Sequence, residues 1–175
     1  MDDKLFIGID VGSKGFISMQ EKGTWTHFSI EDNDLYQLSE IMQETRRKHQ
    51  NIACVIEDVH SIFGSSAKAT FAFGFNKGYL IGLLSASKIP YTLVAPKEWQ
   101  REMWGNSDIV ATYKEVVVKG KKISKKEINT KQTSINCCKR LFPTLDLRKS
   151  ERCKKIDDNK VDSILMAEYA RRKNL

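Results

Sequence analysis

Apolar residues come in short blocks separated by turn-formers and charges, and the spacing inside each block predicts its element. Residues 4–11 (KLFIGIDV) form a brief apolar, β-branched run, the pattern of a buried strand. Gly12-Ser13-Lys14-Gly15 reads as a turn, residues 16–20 as a second strand, Glu21-Lys22-Gly23 as another turn. Residues 24–29 alternate as a third strand, so the chain opens with an antiparallel meander. Leu35, Leu38, Ile41 and Met42 keep a helical period over 35–49, with Asp32, Asn33 or Asp34 available as cap. Residues 52–56 predict a strand ending at Glu57-Asp58. Residues 67–87 predict the longest helix, in which Gly74, Gly78 and Gly82 make a flat stripe that permits close approach of another helix or a backbone. A strand over 91–95 leads into a helix opened by Pro96. Residues 129–141 predict a helix stopped at Phe142-Pro143, and 158–171 a final amphipathic helix. Meander, then strands alternating with helices, is an α/β pattern with a mixed sheet.

The length of 175 residues suits one domain spanning 1–175 and leaves little room for a second lobe. No apolar run approaches the roughly 18 residues of a membrane span. The acidic start, Met1-Asp2-Asp3-Lys4, is unlike a signal peptide, so a soluble cytoplasmic protein without a membrane partner is expected. Cys54, Cys137, Cys138 and Cys153 form no C-x-x-C pair and lack zinc spacing; Cys54 reads as a small core residue.

Charge changes the picture more. The net charge is +7, but residues 114–155 alone carry 14 basic and 4 acidic residues, a surplus of +10 against a mildly acidic remainder. A basic third on an acidic body favours a polyanionic partner, nucleic acid first. Residues 119–126, with five lysines in eight, read as an exposed loop.

The acidic residues with unusual surroundings are few. Asp10 lies in an apolar strand, where a carboxylate is costly without compensation. Glu57 directly follows the apolar run 54–56, with Asp58 as its neighbour and rival. Asp158 and Asp162 stand four apart on the last helix and project from one face, with Asp157 as a rival ligand. If the two strands pair and the last helix packs over them, four carboxylates converge. Such a cluster calls for hard divalent cations, Mg²⁺ with Mn²⁺ as substitute, and a pair of them suits phosphodiester hydrolysis.

At these residues the sequence resembles the RuvC-like Holliday junction resolvases of the RNase H-like superfamily, nearest to the phage and plant-organelle branches. The resemblance rests on FIGIDVGSKGFISM, on VIEDVHSIFGSSAKATFAFGFNKGYLIGLLSASKIPYTLVAPKEW, on KQTSINCCKRLFP, and on KKIDDNKVDSILMAEYARR. It implies an RNase H-like mixed five-stranded sheet flanked by helices. It implies Asp10, Glu57, Asp158 and Asp162 as metal-binding catalytic residues and Lys131 as a catalytic lysine. The activity implied is paired symmetric nicking of four-way DNA junctions by a homodimer.

DNA contacts are expected from Phe63, Phe71 and Phe75, whose rings can stack on unpaired bases, with Phe73 on the same helix. Gly64-Ser65-Ser66 offers backbone N–H groups to phosphate. Lys68, Lys77, Lys121, Lys122, Lys125 and Lys126 are candidate phosphate contacts. The phage resemblance allows a viral protein acting in a host cell. Rival readings are a nuclease for RNA–DNA hybrids or general branched DNA, an actin-like ATPase, and an inactive DNA-binding module.

Overall fold

A computed structural model of the chain describes residues 4–59, 66–118 and 121–175. Five strands form the central sheet: β1 (Leu5–Ile9), β2 (Phe16–Glu21), β3 (Thr24–Ser29), β4 (Ile52–Glu57) and β5 (Tyr91–Val94). Their order is β3-β2-β1-β4-β5. β1 pairs antiparallel with β2, and β2 with β3, while β1–β4 and β4–β5 are parallel. The predicted meander and crossovers are both present, and the result is an α/β fold with a mixed sheet.

Alternation along the strands sends side chains to two cores. One face carries Leu5, Ile7 and Ile9 of β1 with Cys54 and Ile56 of β4. It is covered by α1 (Leu35–Lys48), through Leu38 and Met42, and by α2 (Ala67–Ala86), through Leu80 and Leu84. Helix α1 starts where the sequence allows a cap: the Asp34 carboxylate accepts from the Gln37 N–H in a capping box. The other face carries Ala53 and Val55 and is covered by α5 (Asp158–Arg172), whose Val161, Ile164, Leu165 and Met166 are fully buried. α3 (Pro96–Met103) and α4 (Thr130–Leu141) complete this layer through Trp99, Met103, Cys137 and Cys138. Cys54, Cys137 and Cys138 are buried thiols.

Gly8 sets how closely α5 lies on the sheet. A Cβ there would stand 2.1 Å from the Ser163 carbonyl oxygen and 2.4 Å from the Ala167 nitrogen. The helix backbone therefore rests directly on β1. A buried polar chain pins it laterally: Ser163 Oγ donates to the Lys160 carbonyl, and so accepts from Ser18 Oγ on β2. Ser18 in turn accepts from His27 Nδ1 on β3. By contrast, the stripe Gly74, Gly78 and Gly82 on α2 has open space where each Cβ would stand.

Of the stretch expected to be an exposed loop, the described residues from Lys121 onward form a strand instead: β6 (Ala111–Val118) and β7 (Lys121–Ile128) pair as a two-stranded antiparallel ribbon, and residues 119 and 120 lie outside the described residues. The β-formers Thr112, Tyr113 and Val116–Val118 carry the strand propensity, which the lysines on the return strand obscure in the sequence. No helix among the described residues is long and apolar enough to cross a membrane.

Candidate active site

Two neighbouring parallel strands deliver the first two carboxylates. The β1–β4 register runs to Ile9 opposite Ile56, so Asp10 and Glu57 come next along the pair. By alternation Asp10 shares the face of Gly8, and Glu57 that of Val55, which is the face α5 covers. Because the α5 backbone touches Gly8 at Ser163, Asp162 and the helix start lie over the same end of β1. Open α/β sheets bind ligands at this carboxyl edge.

Each carboxylate is held by a different local device. The Gly12 N–H donates to Asp10 Oδ1 at 3.2 Å across the turn after β1. Gly15 is required in that turn: a Cβ would stand 2.0 Å from the Asp10 carbonyl oxygen. The Trp99 indole N–H donates to Glu57 Oε1 at 3.1 Å. Trp99 is fully buried, so the residue that supports Glu57 cannot easily move. The Lys131 ammonium, from the first turn of α4, pairs with Asp158 Oδ2. Asp157 is the N-cap of α5, its Oδ1 accepting from the Asn159 and Lys160 N–H groups. That employment separates Asp157 from its neighbour, which projects from the first turn toward Lys131.

The electrostatics mark the cluster as unbalanced. Asp10 is pushed up to about 7, chiefly by burial, then by Glu57, against the Gly12 hydrogen bond, with Asp158 and Asp157 adding further. Asp162 is pushed up to about 8, again chiefly by burial, with the Ser134 hydroxyl opposing and Asp10, Glu57 and Asp158 adding to the rise. Glu57 is raised by burial and partly restored by Trp99 and Lys77. Lys131 is raised by its bond to Asp158. The Asp162 Oδ1 is buried with no hydrogen-bond partner. Buried carboxylates that repel one another and lack a matching cation are costly. As placed, no three such side chains among the described residues stand close enough together to hold one metal ion.

The expected DNA contacts divide. Phe71 and Phe75, one helical turn apart on α2, are 76% and 56% exposed, and Lys68 precedes them on the same stretch, also exposed. Phe73 packs partly against the core beneath α2 instead. Lys77 is not the open phosphate contact expected from the sequence. It is mostly buried and paired with Asp58 Oδ1, and it also donates to the Val59 carbonyl at 3.4 Å. Asp58, the rival of Glu57, is thus employed in tying β4 to α2. Lys122, Lys125 and Lys126 are exposed on β7. Phe63, Gly64 and Ser65 lie outside the described residues, as does the Lys121 side chain; Ser66 caps α2 by accepting from the Ala69 N–H.

Three contributors were not singled out as site residues in the sequence. Trp99 and Ser134 act on carboxylates distant in the chain. Gly8 alone left a trace, since glycine inside a strand often marks a close backbone approach.

The sheet order and its flanking helices give a mixed five-stranded fold of the RNase H-like kind, the fold also seen in solved RuvC structures. Two solved structures share it over nearly their full length. The structure of Thermus thermophilus RuvC in complex with a Holliday junction substrate superposes with a TM-score of 0.54 at 9% identity, covering 97% of this chain and 96% of that one. A further Thermus thermophilus RuvC structure gives 0.50 at 11% identity, with coverages of 97% and 96%. No family model and no curated protein matches the sequence.

Proposed function

We propose that the chain is a divalent-metal-dependent, structure-selective DNA endonuclease that resolves four-way junctions by paired symmetric nicks. One observation carries the reading. Three sequence-distant elements of a RuvC-type fold bring Asp10, Glu57, Asp158 and Asp162 within electrostatic reach at one sheet edge, and the two most buried are held far above the carboxylate range.

The donor chemistry suits Mg²⁺ or Mn²⁺, and the carboxylates, too far apart as placed for three to hold one ion, would draw together on binding it. All four donors are hard oxygens, and Asp162 Oδ1 is a buried oxygen awaiting a partner. Asp10, Glu57, Asp158 and Asp162 would hold the cations. When bound, these would supply positive charge to the attacking and leaving oxygens of an in-line displacement. The chain does the rest. Gly12 and Trp99 fix the Asp10 and Glu57 carboxylates. Lys131, 73% exposed, is free at its outer side to meet the scissile phosphate and neutralise charge developing there. Water attacks phosphorus, the bond to the 3′ oxygen breaks, and the ends are 5′-phosphate and 3′-hydroxyl. Lys68, Phe71 and Phe75 form a basic and aromatic face suited to phosphates and unpaired bases at a branch point. Two symmetric cuts call for two such sites, hence a two-fold homodimer.

The test is incubation of purified protein with a labelled synthetic four-way junction in Mg²⁺ or EDTA, with the nicks mapped. Metal-dependent, symmetric nicks are expected. Preference for an RNA–DNA hybrid, or cleavage unaffected by EDTA, overturns the reading.

A further inference from the structure

The β6–β7 ribbon has structure without a core of its own. Its extensive contacts are between its own two strands, and no helix or sheet strand among the described residues packs on it comparably. Tyr113 is 69% exposed, and Ile123 and Ile128 are exposed as well. A lone two-stranded ribbon is marginal in water.

Its charges make that worse rather than better. The register places Lys114 directly opposite Lys125, a like-charge pair that destabilises a ladder. Lys114 pairs with Glu127 and Lys122 with Glu115, which leaves Lys125 and Lys126 without an ion pair among the described residues, Lys125 acting on Glu127 only at longer range. Alternation divides the lysines between both faces: Lys114 and Lys125 on one, Lys122 and Lys126 on the other, the latter beside Tyr113. A ribbon basic on both faces, rather than on one, is suited to a site that surrounds it with negative charge.

We propose that β6–β7 is an arm that inserts into the major groove of one duplex limb of the substrate. This rests on the nuclease reading and extends it to the element that grips DNA away from the cut. Two strands about 4.8 Å apart, with side chains on either face, match a groove about 12 Å wide, which admits a two-stranded ribbon. Eight residues per strand reach about 27 Å, most of a helical turn of DNA. Phosphates line the groove on both sides and answer lysines on both faces. The ribbon joins the body beside the site: the Val110 N–H donates to Thr133 Oγ1 and the Asn129 N–H to the Val110 carbonyl, and Asn129 caps the helix bearing Lys131.

The test measures binding in EDTA, so that cleavage plays no part. Full-length wild type and a K114Q/K122Q/K125Q/K126Q variant are titrated with a 30-base-pair duplex and with a four-way junction across a salt series. The variant is expected to bind duplex at least about tenfold more weakly near 0.1 M salt, with a log–log salt slope smaller by about 2 to 4. Prior methylation of guanine N7, a major-groove atom, is expected to weaken wild-type binding and to leave the variant's residual binding unchanged. Unchanged affinity and slope in the variant overturn the arm. Methylation without effect on wild type overturns the groove placement. Equal, ribbon-dependent binding of poly-glutamate overturns the choice of nucleic acid. Ribbon-dependent duplex binding by a wild type that nicks no junction would leave the arm standing and remove the nuclease reading; normal resolution with an indifferent variant does the reverse.

Discussion

The sheet edge gathers carboxylates and the β6–β7 ribbon gathers lysines, and the two are built on opposite terms. At the edge, negative groups are sunk against a close-packed helix, and packing decides where they stand. On the ribbon, positive groups stand in solvent and packing decides almost nothing. Burying carboxylates is expensive, and a fold accepts that cost only where their positions matter to fractions of an ångström. Exposed lysines cost little and act through long-range attraction, which tolerates loose placement. On the proposed reading one region does chemistry and the other grips DNA, so damage to them should look different.

The largest difference is expected from Asp10→Asn. Removing one buried charge should lower junction cleavage on the order of 10³-fold while junction binding holds or tightens, because repulsion of phosphate falls. Single-turnover cleavage and EDTA binding on the same preparation check this; wild-type cleavage by the variant would break the assignment. Gly8→Val comes next. Its side chain would drive into the Ser163 and Ala167 backbone, costing roughly 3 kcal/mol and displacing Asp158 and Asp162 together. Urea unfolding is expected to show the loss.

Acid should separate the regions again. His27 is held down to about 4, by burial first and then by Lys160, and its Nε2 has no partner. In the unfolded chain it titrates near its ordinary value of 6.5. Between those values the unfolded state binds the proton first, so stability is full above about 6.5 and falls as pH drops toward 4. The loss is on the order of 2 kcal/mol. His27→Gln should flatten stability between pH 7 and 4.5; an unaltered slope would assign acid sensitivity elsewhere. The smallest effect sharpens the contrast most. Lys125→Gln with Lys126→Gln should leave the unfolding free energy of the body unchanged, within about 0.5 kcal/mol, as exposed sites outside any core do, and urea unfolding checks it. A marked drop would mean that the ribbon is part of the folding unit after all.

Much of the fold was readable because its signals are local. Asp34 as cap, Pro96 at a helix start, Phe142-Pro143 as a stop and the period-two runs of the meander each depend on neighbours a few residues away. Asp10 and Glu57 stood out for the same reason, as carboxylates bordered by apolar residues. The ribbon was hidden because five lysines in eight residues look like solvent-exposed loop, and only the register shows Lys121, Lys122, Lys125 and Lys126 on a strand. Lys77 looked like any surface lysine; its pairing with Asp58 depends on where α2 crosses the end of β4.

The amino-acid order alone determined the elements of the central sheet and its covering helices, their faces and the identity of the acidic residues, since those follow from short-range periodicity and the cost of charge among apolar neighbours. Tertiary structure decided which acids share one sheet edge, that Asp157 caps while Asp158 faces Lys131, that Trp99 steadies Glu57, and that Gly8 admits the α5 backbone. Those outcomes depend on sequence-distant groups approaching within hydrogen-bond or van der Waals distance, which close packing sets and local pattern does not encode.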